Sequence, residues 1–371
     1  MKNDFHGIIY NLNSAPELRE LVAHRSSASI PFGGRYRLID FPLSSLVNAG
    51  VRDVGVIMER DYQSLLDHLS SGKDWGLARR GGGLRLLPPF GLREAHSGSF
   101  SGCMEALRSV RSYVESIPHE NIILAPGDTV GNVDLAAAMA RHAELGAAIT
   151  AVCVDRSPDF EHHRFLTNDG NWADELVFSE NGVKAGLAST EIYLMKKELL
   201  LAFMNYCADG NRLHFHRHAL SHYLAEGGRV GIYHHEGYFR RIYSARAYFE
   251  ASMDMLEPEV MRDFFPEDRP IRTKERAEVS TYYSDQARVK NCLVADGCYI
   301  EGELENCVLF RGVKVGKGVR LRNCVILQDA VIQENADLRY VIADKDVIVR
   351  PSCFLVGSER LPIIVPKGET V

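Results

Sequence analysis

The pair Asn-Cys followed by two apolar residues occurs three times near the C-terminus, at Asn291, Asn306 and Asn323, and Arg339-Tyr340-Val341-Ile342 continues the series. Steps of 15, 17 and 16 residues separate the units. Each unit carries a second apolar pair a few residues on: Tyr299-Ile300, Val313 with Val315, Val331-Ile332 and Val347-Ile348. Short β-rich runs with Gly, Asn and Asp between them cannot bury an apolar face singly and must stack, which is the pattern of a hexapeptide β-helix. Cys292, Cys307 and Cys324 are then expected to stack as an inward ladder. A metal role for that ladder is disfavoured, because soft-metal sites need converging ligands and one coil contributes one position per layer.

The chain is 371 residues long, enough for more than one core, so the repeat occupies only part of it. Upstream, short apolar runs alternate with helical patterns. Phe5–Tyr10, Val54–Met58, Ile122–Ala125 and Ile149–Val154 read as buried strands. Leu43–Ala49 before Gly50, Tyr62–Ser71 before Gly72, Met104–Val114 before Pro118 and Leu135–Leu145 before Gly146 read as helices. This alternation predicts an α/β domain with a doubly wound, mostly parallel sheet. Ligands of such sheets bind beyond the carboxyl ends of the strands, which directs attention to the loops after Tyr10 and after Ala125, the latter reading Pro126-Gly127-Asp128. Pro258, Pro266 and Pro270 mark a connection. The expected organisation is a first domain over 1–256, a linker over 257–288 and the β-helix over 289–371.

A net charge of −6 leaves no basic footprint for nucleic acid or an anionic membrane. The eight cysteines include no CxxC pair and read as reduced thiols. Neither a signal peptide nor a membrane span is evident, so the expected compartment is the cytoplasm.

The segment Pro31-Phe32-Gly33-Gly34-Arg35-Tyr36-Arg37-Leu38-Ile39-Asp40-Phe41-Pro42-Leu43-Ser44 resembles the signature of bacterial and plant ADP-glucose pyrophosphorylases, the glucose-1-phosphate adenylyltransferases. Further blocks agree in order: Tyr62-Gln63-Ser64 with His68, Gly102, Gly127-Asp128, Leu187-Ala188-Ser189 with Ile192-Tyr193, and Pro270-Ile271-Arg272-Thr273. The resemblance implies a Rossmann-like nucleotidyltransferase domain followed by a left-handed β-helix. It also implies a reaction in which glucose 1-phosphate attacks the α-phosphate of ATP, giving ADP-glucose and pyrophosphate. Such a reaction needs backbone N–H groups, cations and Mg²⁺ to offset phosphate repulsion.

The chain departs from the family where that chemistry resides. The family's glycine-rich loop is replaced by Tyr10-Asn11-Leu12-Asn13-Ser14-Ala15-Pro16-Glu17, and a family lysine before the signature is Ser27. A stretch whose Glu and Lys hold glucose 1-phosphate reads Phe178-Ser179-Glu180-Asn181-Gly182. In Tyr238-Phe239-Arg240-Arg241-Ile242, Arg241 replaces the second metal-ligating Asp. A guanidinium cannot ligate Mg²⁺ and is expected to pair with Asp128.

By resemblance, the site residues are Asp128 as a vestigial catalytic and metal candidate, Glu180, Ser189 and Gly102 for substrate, and Arg25, Arg37 and His68 for an anionic effector. Each has a structural alternative. Asp128 is also a turn former or a salt-bridge acceptor, Arg37 also a brace for Asp40, and Gly33 and Gly34 also backbone requirements. Glu191 replaces a small family residue and is expected to obstruct the sugar. His214, His216 and His218 fall at a helix start, where their side chains are expected to splay rather than bind metal.

The resemblance is to the D-type, regulatory branch of the family. It implies an activity-modulating subunit in glycogen synthesis, itself weakly active or inactive, partnered with a catalytic paralogue in a hetero-oligomer such as a tetramer, or forming a homo-oligomer alone. No cofactor is implied, with Mg²⁺ entering only alongside residual catalysis. The alternative is a competent sugar-phosphate nucleotidyltransferase with an altered metal site. A scaffold role stays open, whereas a β-helix acyltransferase is disfavoured because no histidine follows His235.

Overall fold

The structure is a computed structural model, and it describes residues 4–12, 16–88, 100–155, 163–178, 185–208 and 212–371. Its larger sheet has nine strands. Seven of them run in the order Glu175–Phe178, His163–Leu166, Leu187–Lys196, Asn121–Pro126, Phe5–Tyr10, Val54–Ile57 and Leu84–Leu87, while Ile149–Val154 pairs with both Leu187–Lys196 and Val230–His234. Phe5–Tyr10 lies parallel to both of its neighbours, as the alternation of strands and helices predicts. Leu187–Lys196 departs from the parallel scheme and runs antiparallel to Asn121–Pro126 and to Ile149–Val154. It follows directly on the antiparallel pair His163–Leu166 and Glu175–Phe178, with no helix among the described residues to turn the chain around.

Side chains alternate across the sheet, so Ile8 enters the core on one face and Ile9 the core on the other. The helix Leu135–Leu145 forms as its pattern predicts, with Asp134 accepting from the Ala137 N–H at 2.9 Å and Gly146 closing it at φ 58°. Met104–Val114 is not one helix. It divides into Cys103–Ser109 and Arg111–Ser116 at Val110, where the Ser109 hydroxyl donates to the Ala106 carbonyl and competes with the helical ladder.

The repeat folds into stacked parallel coils, with Cys292 opposite Cys307 and Cys307 opposite Cys324. Cys307 and Cys324 are fully buried, whereas Cys292, on the outermost of the three coils, is half-buried. The asparagines beside them form the corners. Asn291, Asn306 and Asn323 adopt φ of 50–52°, a region that asparagine tolerates better than most side chains, and their amides bond from rung to rung. Tyr340 takes the next corner, at φ 53°.

The β-helix packs against the first domain through one apolar cluster. Phe32, Phe41, Tyr248, Phe249 and Phe264 share it with Val308, Phe310, Val325 and Ile342. Beside that cluster Arg25 donates to both carboxylate oxygens of Asp344, at 2.8 and 2.6 Å, with both side chains buried. Breaking a buried pair from one side strands a charge and costs about 3–5 kcal/mol, while replacing both partners by apolar groups costs far less. Asp344→Ala is therefore expected to lower stability by about that amount in urea denaturation, and Arg25→Met/Asp344→Leu to recover most of the loss.

Candidate functional site

The cleft lies where the parallel strands end. Tyr10 closes the first strand, and its carbonyl accepts the Gly127 N–H at 2.8 Å, which brings the Gly-Asp turn alongside. Phe239–Arg241 pairs with Thr129–Gly131, and the Ile242 N–H donates to the Asp128 carbonyl. Arg241 is thereby set against Asp128. Its Nε donates to Asp128 Oδ1 at 3.0 Å and its Nη1 lies 2.7 Å from Glu191 Oε2, which also accepts the Tyr10 hydroxyl at 2.8 Å.

All four side chains are buried. Burial, partly offset by Arg241, holds the Asp128 carboxyl above the ordinary aspartate range, and burial followed by Glu191 pushes the Tyr10 hydroxyl well up. Burial also works against the Arg241 charge, but Asp128 and Glu191 more than offset it, so the guanidinium stays protonated. Glu191 occupies a bulge where the pairing register shifts between Ser189 and Ile192, at φ 61°. A positive φ at a non-glycine residue costs about 1–2 kcal/mol, and the ion pair with Arg241 opposes that cost.

Mg²⁺ does not fit these residues. It requires oxygen ligands at about 2.0–2.1 Å, but Asp128 Oδ1 already faces the Arg241 guanidinium, which cannot itself ligate a cation.

The sequence-predicted substrate residues separate. Ser189 Oγ lies 3.1 Å from the Tyr193 hydroxyl and accepts the Glu191 N–H, which places it in the wall of this cleft. Gly102 is explained by packing, because a Cβ there would meet the Leu213 carbonyl at 2.2 Å. Glu180 lies outside the described residues. Gly33 and Gly34 have φ of 57° and 81°, as a backbone requirement predicts.

Arg25 and Arg37 lie at the junction with the β-helix, and each of Arg25, Arg37 and His68 has its own partner. Arg25 meets Asp344, His68 Nε2 lies 2.6 Å from Asp40 Oδ1, and the Arg37 guanidinium donates to the Ser64 carbonyl and hydroxyl. Asp40 is thus braced by His68 and by the backbone N–H of Arg37, not by the Arg37 side chain. The sequence reading missed Lys345, whose pKa is pulled down to about 7 by burial and by Arg37 and Arg25. It also missed Arg311, buried and lowered first by burial and then by Arg35 and Arg276, with no hydrogen-bond partner for Nε or Nη2 among the described residues. These residues come from distant parts of the chain and share no motif.

The histidine triplet behaves differently from expectation. Phe215–Leu220 is a π-helix, His214 and His218 stack at 5.8 Å, and His216 turns inward onto His163 at 4.5 Å. His214 also lies 6.0 Å from His216, so the three rings cluster instead of splaying.

Arg241→Met leaves two buried carboxylates without their cation and is expected to cost about 3–5 kcal/mol in urea denaturation near neutral pH. In that variant Asp128, already held above the ordinary range by burial and now without Arg241, titrates above its unfolded value, so its part of the penalty is full above the folded pKa and shrinks as pH falls through it. Denaturation curves across pH check that sign.

Residues 14–257 match the family model for nucleotidyl transferases, and residues 278–360 match a GlmU-like C-terminal hexapeptide model. The chain is 35% identical to the glycogen biosynthesis protein GlgD of Bacillus subtilis (strain 168), over 99% of this chain and 96% of that protein. It is 34% identical to the protein of the same name from Geobacillus stearothermophilus, over 99% and 97%. A glucose-1-phosphate adenylyltransferase of Clostridium botulinum (strain Eklund 17B / Type B) is 29% identical over 94% of this chain and 91% of that protein. With its nucleotidyltransferase domain, its hexapeptide coils and full-length relatives at this identity, the chain belongs to the nucleotidyltransferase family as a GlgD-type glycogen biosynthesis protein related to the glucose-1-phosphate adenylyltransferases.

Proposed function

We propose that this chain is a regulatory or activity-modulating subunit of glucose-1-phosphate adenylyltransferase, weakly active or inactive by itself, assembled with a catalytic paralogue in a mixed oligomer. The observation that carries the reading is Arg241 bound to both Asp128 and Glu191. Nucleotidyl transfer needs cationic charge placed against incoming phosphates. Here the Arg241 guanidinium is held by two carboxylates, and Glu191, whose N–H donates to Ser189 Oγ, stands beside the residue that by family resemblance contacts a sugar. In this reading the subunit holds no catalytic Mg²⁺.

The second part of the proposal concerns the junction. Arg37, Lys345 and Arg311, with Arg35, Arg276 and Lys367 near them, form a basic seam between the two domains. Like charges held this close favour an anion, and we assign the seam to a phosphate-bearing effector, the role expected for Arg25, Arg37 and His68. An anion there would touch both domains at once and bias how they pack, which is the requirement for a regulatory response.

Two measurements test the proposal. ADP-glucose formation from ATP, glucose 1-phosphate and Mg²⁺ is assayed with the chain alone, the catalytic paralogue alone and the two mixed. Near-zero turnover alone, with a changed rate or substrate affinity in the mixture, is the expected result, and robust turnover alone overturns it. Arg241→Asp is expected not to restore activity by itself, because Glu191 remains. Sulfate titrated into the chain by calorimetry is expected to bind more tightly as pH falls through about 7, where Lys345 gains its proton. Lys345→Ala is expected to flatten that dependence.

A further inference from the structure

Three side chains from separate elements meet in the cleft beside the ion pair. His163 comes from the strand His163–Leu166, Glu191 from the bulge in Leu187–Lys196, and His216 from the π-helix Phe215–Leu220. One ligand atom from each lies within 4.8 Å of the other two, and all three residues are buried, at 1%, 7% and 8% exposure. Two uncommon backbone features deliver them to this point. Glu191 has a left-handed φ, and a π-helix carries His216. Both features cost stability and concentrate at functional sites.

An outer set of contacts orients the group. His163 Nε2 lies 2.7 Å from the Tyr193 hydroxyl, and Glu191 Oε2 is held by Tyr10 and Arg241. Metal-binding imidazoles and carboxylates characteristically carry such outer partners, which fix ring orientation. Two imidazoles and one carboxylate suit Zn²⁺ and its first-row neighbours, unlike the all-oxygen set that Mg²⁺ requires. The charges favour the same occupant, since Asp128 and Glu191 exceed Arg241 by one negative charge inside a buried volume.

We propose that His163, Glu191 and His216 form a binding site for one divalent first-row transition-metal cation of the Zn²⁺ type. His163 would ligate through Nδ1, because Nε2 serves Tyr193, and coordination at about 2.0–2.2 Å requires the His216 ring to turn out of its near-parallel stack on His163 so that both in-plane lone pairs meet at the ion. The cation ties the Leu187–Lys196 strand to the π-helix across the cleft and holds Glu191 in its strained position. The site makes no use of Asp128 and stands whether or not the chain is a regulatory subunit.

The test strips the full chain with a chelator and titrates it with Co²⁺ and Zn²⁺, following the visible Co²⁺ ligand-field band and, by calorimetry, Zn²⁺ uptake. One equivalent of each is expected, with the Co²⁺ band that of nitrogen and oxygen ligation. His163→Gln and His216→Gln are each expected to abolish the band and weaken Zn²⁺ binding at least ~10-fold, and Tyr193→Phe to weaken it ~10-fold through the lost outer contact. His214→Gln and His218→Gln are expected to leave it unchanged. Glu191→Gln joins the set if circular dichroism shows it folded, and the two histidine variants carry the test otherwise. Absence of the Co²⁺ band in the unaltered chain overturns the proposal, as does Zn²⁺ binding that survives His163→Gln and His216→Gln or that falls only with His214 or His218.

Discussion

The central constraint on the first domain is a guanidinium enclosed between two carboxylates. Arg241 reaches Asp128 from one side and Glu191 from the other, joining the end of one parallel strand, the bulge of an antiparallel one and a short third strand. None of the three charges is tolerable there singly, because desolvation of an unpaired ion costs several kcal/mol. The trio therefore settles three matters together: the left-handed backbone at Glu191, the orientation of the Asp128 turn, and the filling of the cleft at the strand ends. A nucleotidyltransferase site needs that cleft to accept phosphate and metal. In this one Arg241 stands between Asp128 and Glu191 instead.

The same logic, with a different sign of imbalance, shapes the junction between the domains. Arg25 is paired with Asp344, while Arg37, Lys345 and Arg311, together with Arg35, Arg276 and Lys367, outnumber the neighbouring carboxylates Asp40, Asp67, Asp296 and Glu278. The aromatic cluster of Phe32, Phe41 and Phe264 packs with the coils at the same junction. In the proposed reading, an anion bound in this seam would couple its own binding to domain packing. The two polar centres thus have opposite characters: carboxylates outnumber the cation around Arg241, and cations predominate at the junction.

How far the sequence was legible depends on the range of the interaction. The coil period, the inward cysteines and the four central strands follow from local patterns of apolar side chains, and they appear where the patterns place them. The break at Val110 escaped because a hydroxyl competing for a carbonyl leaves the apolar period intact. The left-handed role of the repeat's asparagines was present in the motif but hidden behind the more conspicuous cysteines. Of the site, the pairing of Arg241 with Asp128 was legible, because replacing a carboxylate by a cation beside another carboxylate has one favourable outcome.

By itself the sequence determined the two-part architecture, which rests on short-range spacing, and the attraction of Arg241 to Asp128, which rests on residue type. Only the tertiary structure decided that Glu191 would be the third member of the buried charge cluster, that His216 would meet His163, and that Lys345 and Arg311 would crowd Arg37 and Arg35. Those contacts join residues from tens to hundreds of positions apart. Their energies depend on burial, which no single stretch of the chain records.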